Sequence, residues 1–443
     1  MKAQSLKFKV QSKWKVGVSL AFVAALMGAR ALVSAQDDRS AKFEFASDEV
    51  LLDEVVPIVV TGLEPRSTVM IRARGGGGPG LSWTSNATFI ADANGRIDVT
   101  QMAPAKGNYK GVDPMGLFWS AERENAAPAG GADEEPGGAS PALWTLTAEV
   151  NDRVLARTTV RRLAMSPGVR ATRVRDAGFV GVYYEPPGEG RHAAFIVLGG
   201  SGGGLPGPAG IPGGLASRGY AVLSLAYFGV PGLPRALSNI PLEYFGKAID
   251  WLAAQPAVDA RRIGVVGSSR GAELALLLGV VYPALRTVVG YMPSNVVWRG
   301  CCDPTTDVAW TIGGRPLAAM PARGARQIVS GDPEIPVEKI QGAVLLISGR
   351  DDGVWPSSDM ADKIVSRLRR YGFAHPYASL VYDHTGHGIG RPYTSTMEIS
   401  AQRHPLTGRI IHSGGTPAGT AKAREDSWRQ LITFVNQHLR DGR

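Results

Sequence analysis

The chain has 443 residues, 44% of them hydrophobic and 20% charged, which is enough to bury a large core in two domains and too apolar for a disordered chain. Its 56 glycines and 30 prolines call for many turns and exclude a helical bundle. The formal net charge of +9 misleads, because five lysines and one arginine fall in the first 35 residues, which hold no acid. The remainder carries about +3 and no basic cluster with interleaved aromatics, so nucleic acid is not an expected partner.

Within that basic leader the run VGVSLAFVAALMGA starts at Val16 and is followed by Leu32-Val33-Ser34-Ala35. A basic start, an apolar centre and small residues at 33 and 35 form the layout of a secretory signal. Residues 1–35 are therefore expected to be a signal peptide cut after Ala35, leaving an exported, periplasmic or extracellular chain with no stable membrane span. A retained anchor and a mitochondrial presequence are the alternatives, and the unbroken apolar centre argues against an amphipathic transit helix.

Residues 42–165 read as short alternating strands: VVPIVVTGL, STVMIRARG, ATFIADANG, WTLTAEVND and VLARTTVRRL. Turn signals separate them, which predicts an immunoglobulin-like β-sandwich domain. Gly75–Gly80 and Ala126–Pro141 read as surface loops. The first lacks the Gly-Lys-Ser/Thr of a phosphate-cradling loop.

After Pro167 the rhythm changes to strands alternating with helices, so residues 168–443 are expected to form an α/β domain around a parallel sheet. AAFIVLGG, YAVLSLAYF, RIGVVGS, LRTVVGYMP, AVLLISG and ASLVYDH suit buried strands. LEYFGKAIDWLAAQP and MADKIVSRLRRYG suit helices, the latter with Met360, Ile364 and Leu368 on one face. A last helix is expected over about 421–439, with Trp428, Leu431, Ile432, Val435 and Leu439 on one stripe.

Two stretches spell G-x-S-x-G: Gly199-Gly200-Ser201-Gly202-Gly203 and Gly267-Ser268-Ser269-Arg270-Gly271. A nucleophile elbow needs a strand before the serine, glycines at minus two and plus two, and a helix directly after. Ser201 is followed by GGGLPGPAGIPGG, which cannot start a regular helix at once. Ser269 lies between RRIGVVG and GAELALLLGVVYP, and it meets every requirement. The glycine loop at Ser201 and Gly202 then gains another role, supplying an oxyanion-hole N–H beside that of Arg270.

A serine hydroxyl needs a base, and the base a carboxylate. His387, in YDHTGHGIG, sits on a glycine-flanked loop after the last strand; His384 is the alternative. The sequence Gly349-Arg350-Asp351-Asp352-Gly353-Val354-Trp355-Pro356 selects Asp352 over Asp351 by its spacing from Gly and Pro, the competing explanation being a pair of turn carboxylates. The chain order Ser269, Asp352, His387 is that of α/β-hydrolases. The two cysteines, Cys301 and Cys302, are adjacent, so an ordinary disulfide between them is strained, and they make neither a redox C-x-x-C nor a zinc cluster. They read as a spare loop pair in the irregular segment Val297–Pro336, where a lid would sit.

Read together, VVPIVVTGLEPRSTVMIRA, GVDPMGLFWSAE, GGSGGGL, AVLSLAYFG, PLEYFGKAIDWL, GVVGSSRGAELALL, GRDDGVWPS, TGHGIGRPY and GGTPAGTAKAREDSWRQLITFVNQHL resemble, in order, the acyl-CoA thioesterases grouped with bile acid-CoA:amino acid N-acyltransferases. The resemblance implies a sandwich domain followed by an α/β-hydrolase domain. It places the nucleophile on Ser269, the acid on Asp352 and the base on His387. It also implies acyl-enzyme chemistry of fatty acid metabolism without metal or cofactor. Members that transfer acyl groups to amino acids carry cysteine at the nucleophile, so serine points to hydrolysis of a small-molecule acyl thioester or ester. Transfer to an amine, an exported carboxylesterase that does not act on CoA, and an inactive fold kept as a binding module are the alternatives.

Overall fold

Alternation along single strands builds the first layers: in Thr68–Gly76 the side chains of Val69, Ile71 and Ala73 are fully buried while Thr68 and Arg74 are exposed. The computed structural model describes residues 40–440 except 46, 77–81, 125–140, 303–307, 322–330 and 399–400. The expected leader, most of the Gly75–Gly80 stretch and nearly all of the 126–141 insert thus lie outside the described residues. One sheet runs in the order Glu49–Leu51, Arg153–Leu163, Ala142–Val150, Thr68–Gly76, Trp83–Ile90, Lys106–Gly107, with Glu122–Arg123 also pairing with Trp83–Ile90. A smaller sheet of Lys42–Glu44, Val59–Thr61 and Ile97–Asp98 shares its core, where Val60 and Ile97 meet Ile71, Phe89 and Leu146. This is a β-sandwich. The PMGLFW stretch forms a buried helical turn, Gly116–Trp119, whose Phe118 stacks edge-on against Trp144 at 5.1 Å.

The second sheet has eight strands: β1 (Arg170–Val174), β2 (Val180–Glu185), β3 (His192–Leu198), β4 (Ala221–Ala226), β5 (Val258–Ser268), β6 (Leu285–Tyr291), β7 (Ala343–Gly349) and β8 (Tyr377–Tyr382). Their spatial order is β1-β2-β4-β3-β5-β6-β7-β8, the arrangement of an α/β-hydrolase. Strands β3 to β8 are mutually parallel, whereas β1 pairs with β2 and β2 with β4 in antiparallel fashion. The sheet is therefore mixed rather than purely parallel. The two leading strands escape a periodicity reading because β2, VGVYYE, is nearly all buried and follows β1 through a short turn.

The helices α1 (Ile211–Ala216), α2 (Glu243–Ala253), α3 (Arg270–Val281), α4 (Ser357–Arg370) and α5 (Pro417–Val435) cover this sheet. Helix α1 forms inside the glycine- and proline-rich run, ten residues beyond Ser201, with Pro212 in its first turn, where the missing N–H costs nothing. Helix α5 starts earlier than its apolar stripe suggests. Thr416 Oγ accepts from Gly419 N at 3.0 Å and Pro417 opens the first turn, a cap-plus-proline start. No helix among the described residues is long and apolar enough to cross a membrane.

Ser40–Arg443 behaves as one unit, and the joint between sandwich and mixed sheet is ionic. The buried Asp53 carboxylate binds Arg391 Nη2 at 2.6 Å and Arg218 Nη1 at 2.5 Å. Arg391 Nη1 also donates to Ala164 O at 2.6 Å, while Arg162 donates to Tyr393 O at 2.7 Å and to Leu52 O. Burial, then the nearby Arg391 charge, pulls Arg162 down to about 9, so it remains a cation at neutral pH. Further along, Thr396 N donates to Trp119 O at 2.9 Å and Ser395 Oγ to Ala121 O at 2.7 Å. Residues 391–396 are thus strapped to the sandwich.

Candidate active site

Sheet register brings the two glycine–serine loops together. Leu198, at the end of β3, lies opposite Gly267, near the end of β5, so both chains leave the sheet side by side. At Ser269 the backbone takes φ +57° and ψ −121°, a strained turn between strand and helix. Its flanking glycines are steric necessities: a β-carbon on Gly267 would fall on the carbonyl oxygen of Gly271, and one on Gly271 would fall on that of Gly199. Helix α3 begins at the next residue, Arg270, so the serine sits at a helix N-terminus where partial positive charge favours an anion.

His387 and Asp352 arrive from the neighbouring strand ends. Ser269 Oγ is 2.8 Å from His387 Nε2, and His387 Nδ1 is 2.7 Å from Asp352 Oδ2. Asp352 is itself saturated: its Oδ1 accepts from Val354 N at 2.9 Å and Trp355 N at 3.2 Å, and its Oδ2 from Ser357 Oγ at 2.6 Å. With N–H and O–H donors on both oxygens, this carboxylate is fixed as an acceptor and cannot swing away. The proton between Asp352 and His387 therefore belongs on Nδ1, leaving the Nε2 lone pair to receive Ser269 Oγ–H. Trp355 packs edge-on to the imidazole at 5.3 Å, and His387 N donates to Ser413 O at 2.7 Å.

The structure separates these residues from their neighbours in sequence. His384 is exposed, its nearest carboxylate being Asp351 at 3.9 Å, and Asp351 is half exposed while Asp352 is buried. The Arg270 side chain turns down into a buried ion pair with Glu273 at 2.7 Å. Burial pushes the Glu273 carboxyl up, against the pull of Arg270. Glu273 also accepts from Trp310 Nε1 at 2.8 Å and Trp298 N at 3.1 Å, which pins the irregular segment after β6 to α3. Part of that segment lies outside the described residues.

The Ser201 loop passes over the elbow. A β-carbon on Gly200 would stand 3.1 Å from Ser269 Cβ and 3.6 Å from its Oγ, so the glycine lets this backbone touch the serine. Ser201, Cys302 and His404 line a cavity of about 760 Å³ that extends to Gly353 and Val354, beside Asp352. Cys302 is not a spare loop residue: its Sγ lies 3.3 Å from Ser201 O. Both cysteines are free. His404 and Glu273 went unnoticed in the sequence, because the first is 203 positions from its partner Ser201 and the second sits within an apolar helix; only an acid in that fully buried run was a signal. Among the described residues no group of three or more His, Cys, Asp or Glu side chains is arranged to hold a metal ion.

An eight-stranded sheet in this order, with a Ser–His–Asp hydrogen-bonded line at the exits of β5, β7 and β8, defines the α/β-hydrolase class. The particular branch follows from comparison with known proteins. The family model described as "BAAT / Acyl-CoA thioester hydrolase C terminal" matches residues 240–441, and "Acyl-CoA thioester hydrolase/BAAT N-terminal region" matches residues 53–176. Acyl-coenzyme A thioesterase 1 of Homo sapiens is 31% identical over 401 residues, 87% of this chain and 94% of its own length. Acyl-coenzyme A thioesterase 2, mitochondrial, of Homo sapiens is 31% identical over 87% of this chain and 82% of its own. Acyl-coenzyme A amino acid N-acyltransferase 1 of Mus musculus is 31% identical over 88% of this chain and 95% of its own. The chain belongs to the BAAT/acyl-CoA thioester hydrolase family.

Proposed function

We propose that this protein is a serine hydrolase that cleaves acyl thioesters or esters through an acyl-enzyme intermediate. The observation that carries the reading is the continuous line from Ser269 Oγ through His387 to Asp352, at 2.8 and 2.7 Å. His387 Nε2 takes the Ser269 proton as Oγ attacks the acyl carbonyl, and Asp352 stabilises the imidazolium without accepting its proton. The tetrahedral oxyanion is received by the Arg270 N–H and by an N–H of the Ser201–Gly202 loop, each such donor contributing about 2.7–4 kcal/mol to barrier lowering. Collapse of the intermediate breaks the carbonyl–sulfur or carbonyl–oxygen bond, and His387 returns the proton to the departing thiol or alcohol. A water then repeats the sequence on the acyl-enzyme. No metal or cofactor enters this scheme, and the acyl-coenzyme A thioesterases among the relatives support a thioester as substrate.

A fluorophosphonate probe tests the scheme: it should label the native chain and leave Ser269→Ala unlabelled, and equal labelling of both rejects Ser269. Assays with acyl-CoA, aryl esters and peptides then separate thioesterase from general esterase. A second reading, transfer of the acyl group to an amine, has the N-acyltransferase relative in its favour; an N-acyl product in the presence of glycine or taurine would identify it. Export is the accompanying proposal for residues 1–35, checked by N-terminal sequencing for a chain that starts after Ala35.

A further inference from the structure

The loop from Gly199 to Gly204 is tied down at three points, and the middle tie is a second serine–histidine pair. At its ends Tyr227 Oη donates to Gly199 O at 2.6 Å and Gly204 N donates to Phe228 O at 3.0 Å. At its centre His404 Nε2 lies 3.1 Å from Ser201 Oγ, and Cys302 Sγ lies 3.3 Å from Ser201 O. His404 is 7% exposed and stands on the turn between Gln402–Arg403 and Ile410–Ile411.

The ring's other nitrogen fixes the direction of that bond. Leu406 N and Thr407 N both donate to His404 Nδ1, at 3.3 and 3.2 Å, so Nδ1 holds the lone pair and Nε2 holds the proton. His404 therefore gives a hydrogen bond to Ser201 and cannot take its proton. Burial pushes the imidazole down from its ordinary 6.5, which keeps it in this neutral form. The Cys301 sulfur, then burial, pushes the Cys302 thiol up, so it too keeps its proton as a donor. What these two side chains hold is a peptide unit: with the Ser201 carbonyl and hydroxyl fixed, the Gly202 N–H on the opposite edge of the same plane is fixed as well. Among the described residues no backbone carbonyl accepts from the Ser201 or Gly202 N–H.

We propose that His404, seconded by Cys302, is the positioning residue of the oxyanion loop, holding Ser201 so that the backbone N–H groups beside Ser269 keep their aim. This inference rests on Ser269 being the nucleophile. Misplacing a reacting geometry by about 1 Å can cost about 10²-fold, so His404→Ala should lower kcat and the rate of fluorophosphonate labelling by about tenfold to a hundredfold while KM stays within about threefold. His404→Gln, which keeps an N–H near the Nε2 position, should recover most of the loss. The double variant His404→Ala/Ser201→Ala should be no slower than His404→Ala alone, because both act through one bond. Native kcat in a folded His404→Ala, or losses that multiply in the double variant, would overturn the proposal. Should His404→Ala not fold, Ser201→Ala decides instead: a lowered kcat at unchanged KM supports the tie, and native kcat refutes it. Persisting label in Ser269→Ala would remove the underlying reading instead, whatever the His404 variants do.

Discussion

Two serine–histidine pairs sit on touching loops that both spell G-x-S-x-G, and they run in opposite directions. Ser269 faces a histidine whose far nitrogen meets a carboxylate, so the near nitrogen is a base. Ser201 faces one whose far nitrogen meets two peptide N–H groups, so the near nitrogen is a donor. The residues are alike and the chemistry differs, because the partner on the remote side of each imidazole chooses the tautomer. Backbone geometry agrees: Ser269 is held at positive φ in front of a helix, while Ser201 enters an open glycine run with its helix ten residues off.

The largest expected effect comes from reversing the first pair. Asp352→Asn offers an amide N–H to His387 Nδ1, turning that ring into a donor like His404, and kcat should fall about 10⁴-fold with binding little changed; steady-state kinetics on the folded variant would check it. Next in size is the anchor behind His387. Asp53→Ala leaves Arg391 and Arg218 without their buried carboxylate and should destabilise the fold by about 3–5 kcal/mol, read by urea denaturation. A variant at native stability would mean that the strap from residue 391 onward does not depend on this ion pair.

Smaller still is the steric difference between the loops. Gly267→Ala must push against the Gly271 carbonyl and should cost about 1–3 kcal/mol along with much of kcat, whereas Gly204→Ala, with open space around its β-position but φ +76°, should cost only about 1 kcal/mol; thermal melts would compare the two. The smallest effect is on pH dependence. The folded state holds His404 below its ordinary 6.5, so the unfolded chain binds the proton more readily, and stability at this residue is lost as pH falls from about 6.5 downward. His404→Gln should flatten that acid-side slope slightly, seen as a smaller drop in melting temperature between pH 7 and pH 5.

Much of the fold was readable. The sandwich strands Thr68–Gly76 and Trp83–Ile90 keep period two, and the strands β3 to β8 carry short apolar runs bounded by glycine or charge, since burial on one face or both leaves those signatures. The antiparallel pair β1 and β2 was not readable, because an apolar run says nothing about which neighbour it pairs with. At the site, Gly267, Ser269 and Gly271 announced themselves through a local steric rule, and Asp352 through its spacing from Gly349 and Pro356. His404 had no such rule behind it.

Sequence alone determined the alternation of strands and helices, the serine that has a strand before it and a helix after it, and the order in which acid and histidine follow. Those are local properties, set by side-chain period, small residues at tight turns and helix starts. Tertiary structure decided that Ser269, His387 and Asp352 meet in one hydrogen-bonded line, that His404 reaches Ser201 across 203 positions, and which way each imidazole points its proton. The first two depend on partners brought from distant strands and loops, of which neighbouring residues carry no record; the His404 proton is placed by Leu406 N and Thr407 N, two and three residues on, once the turn has folded around the ring.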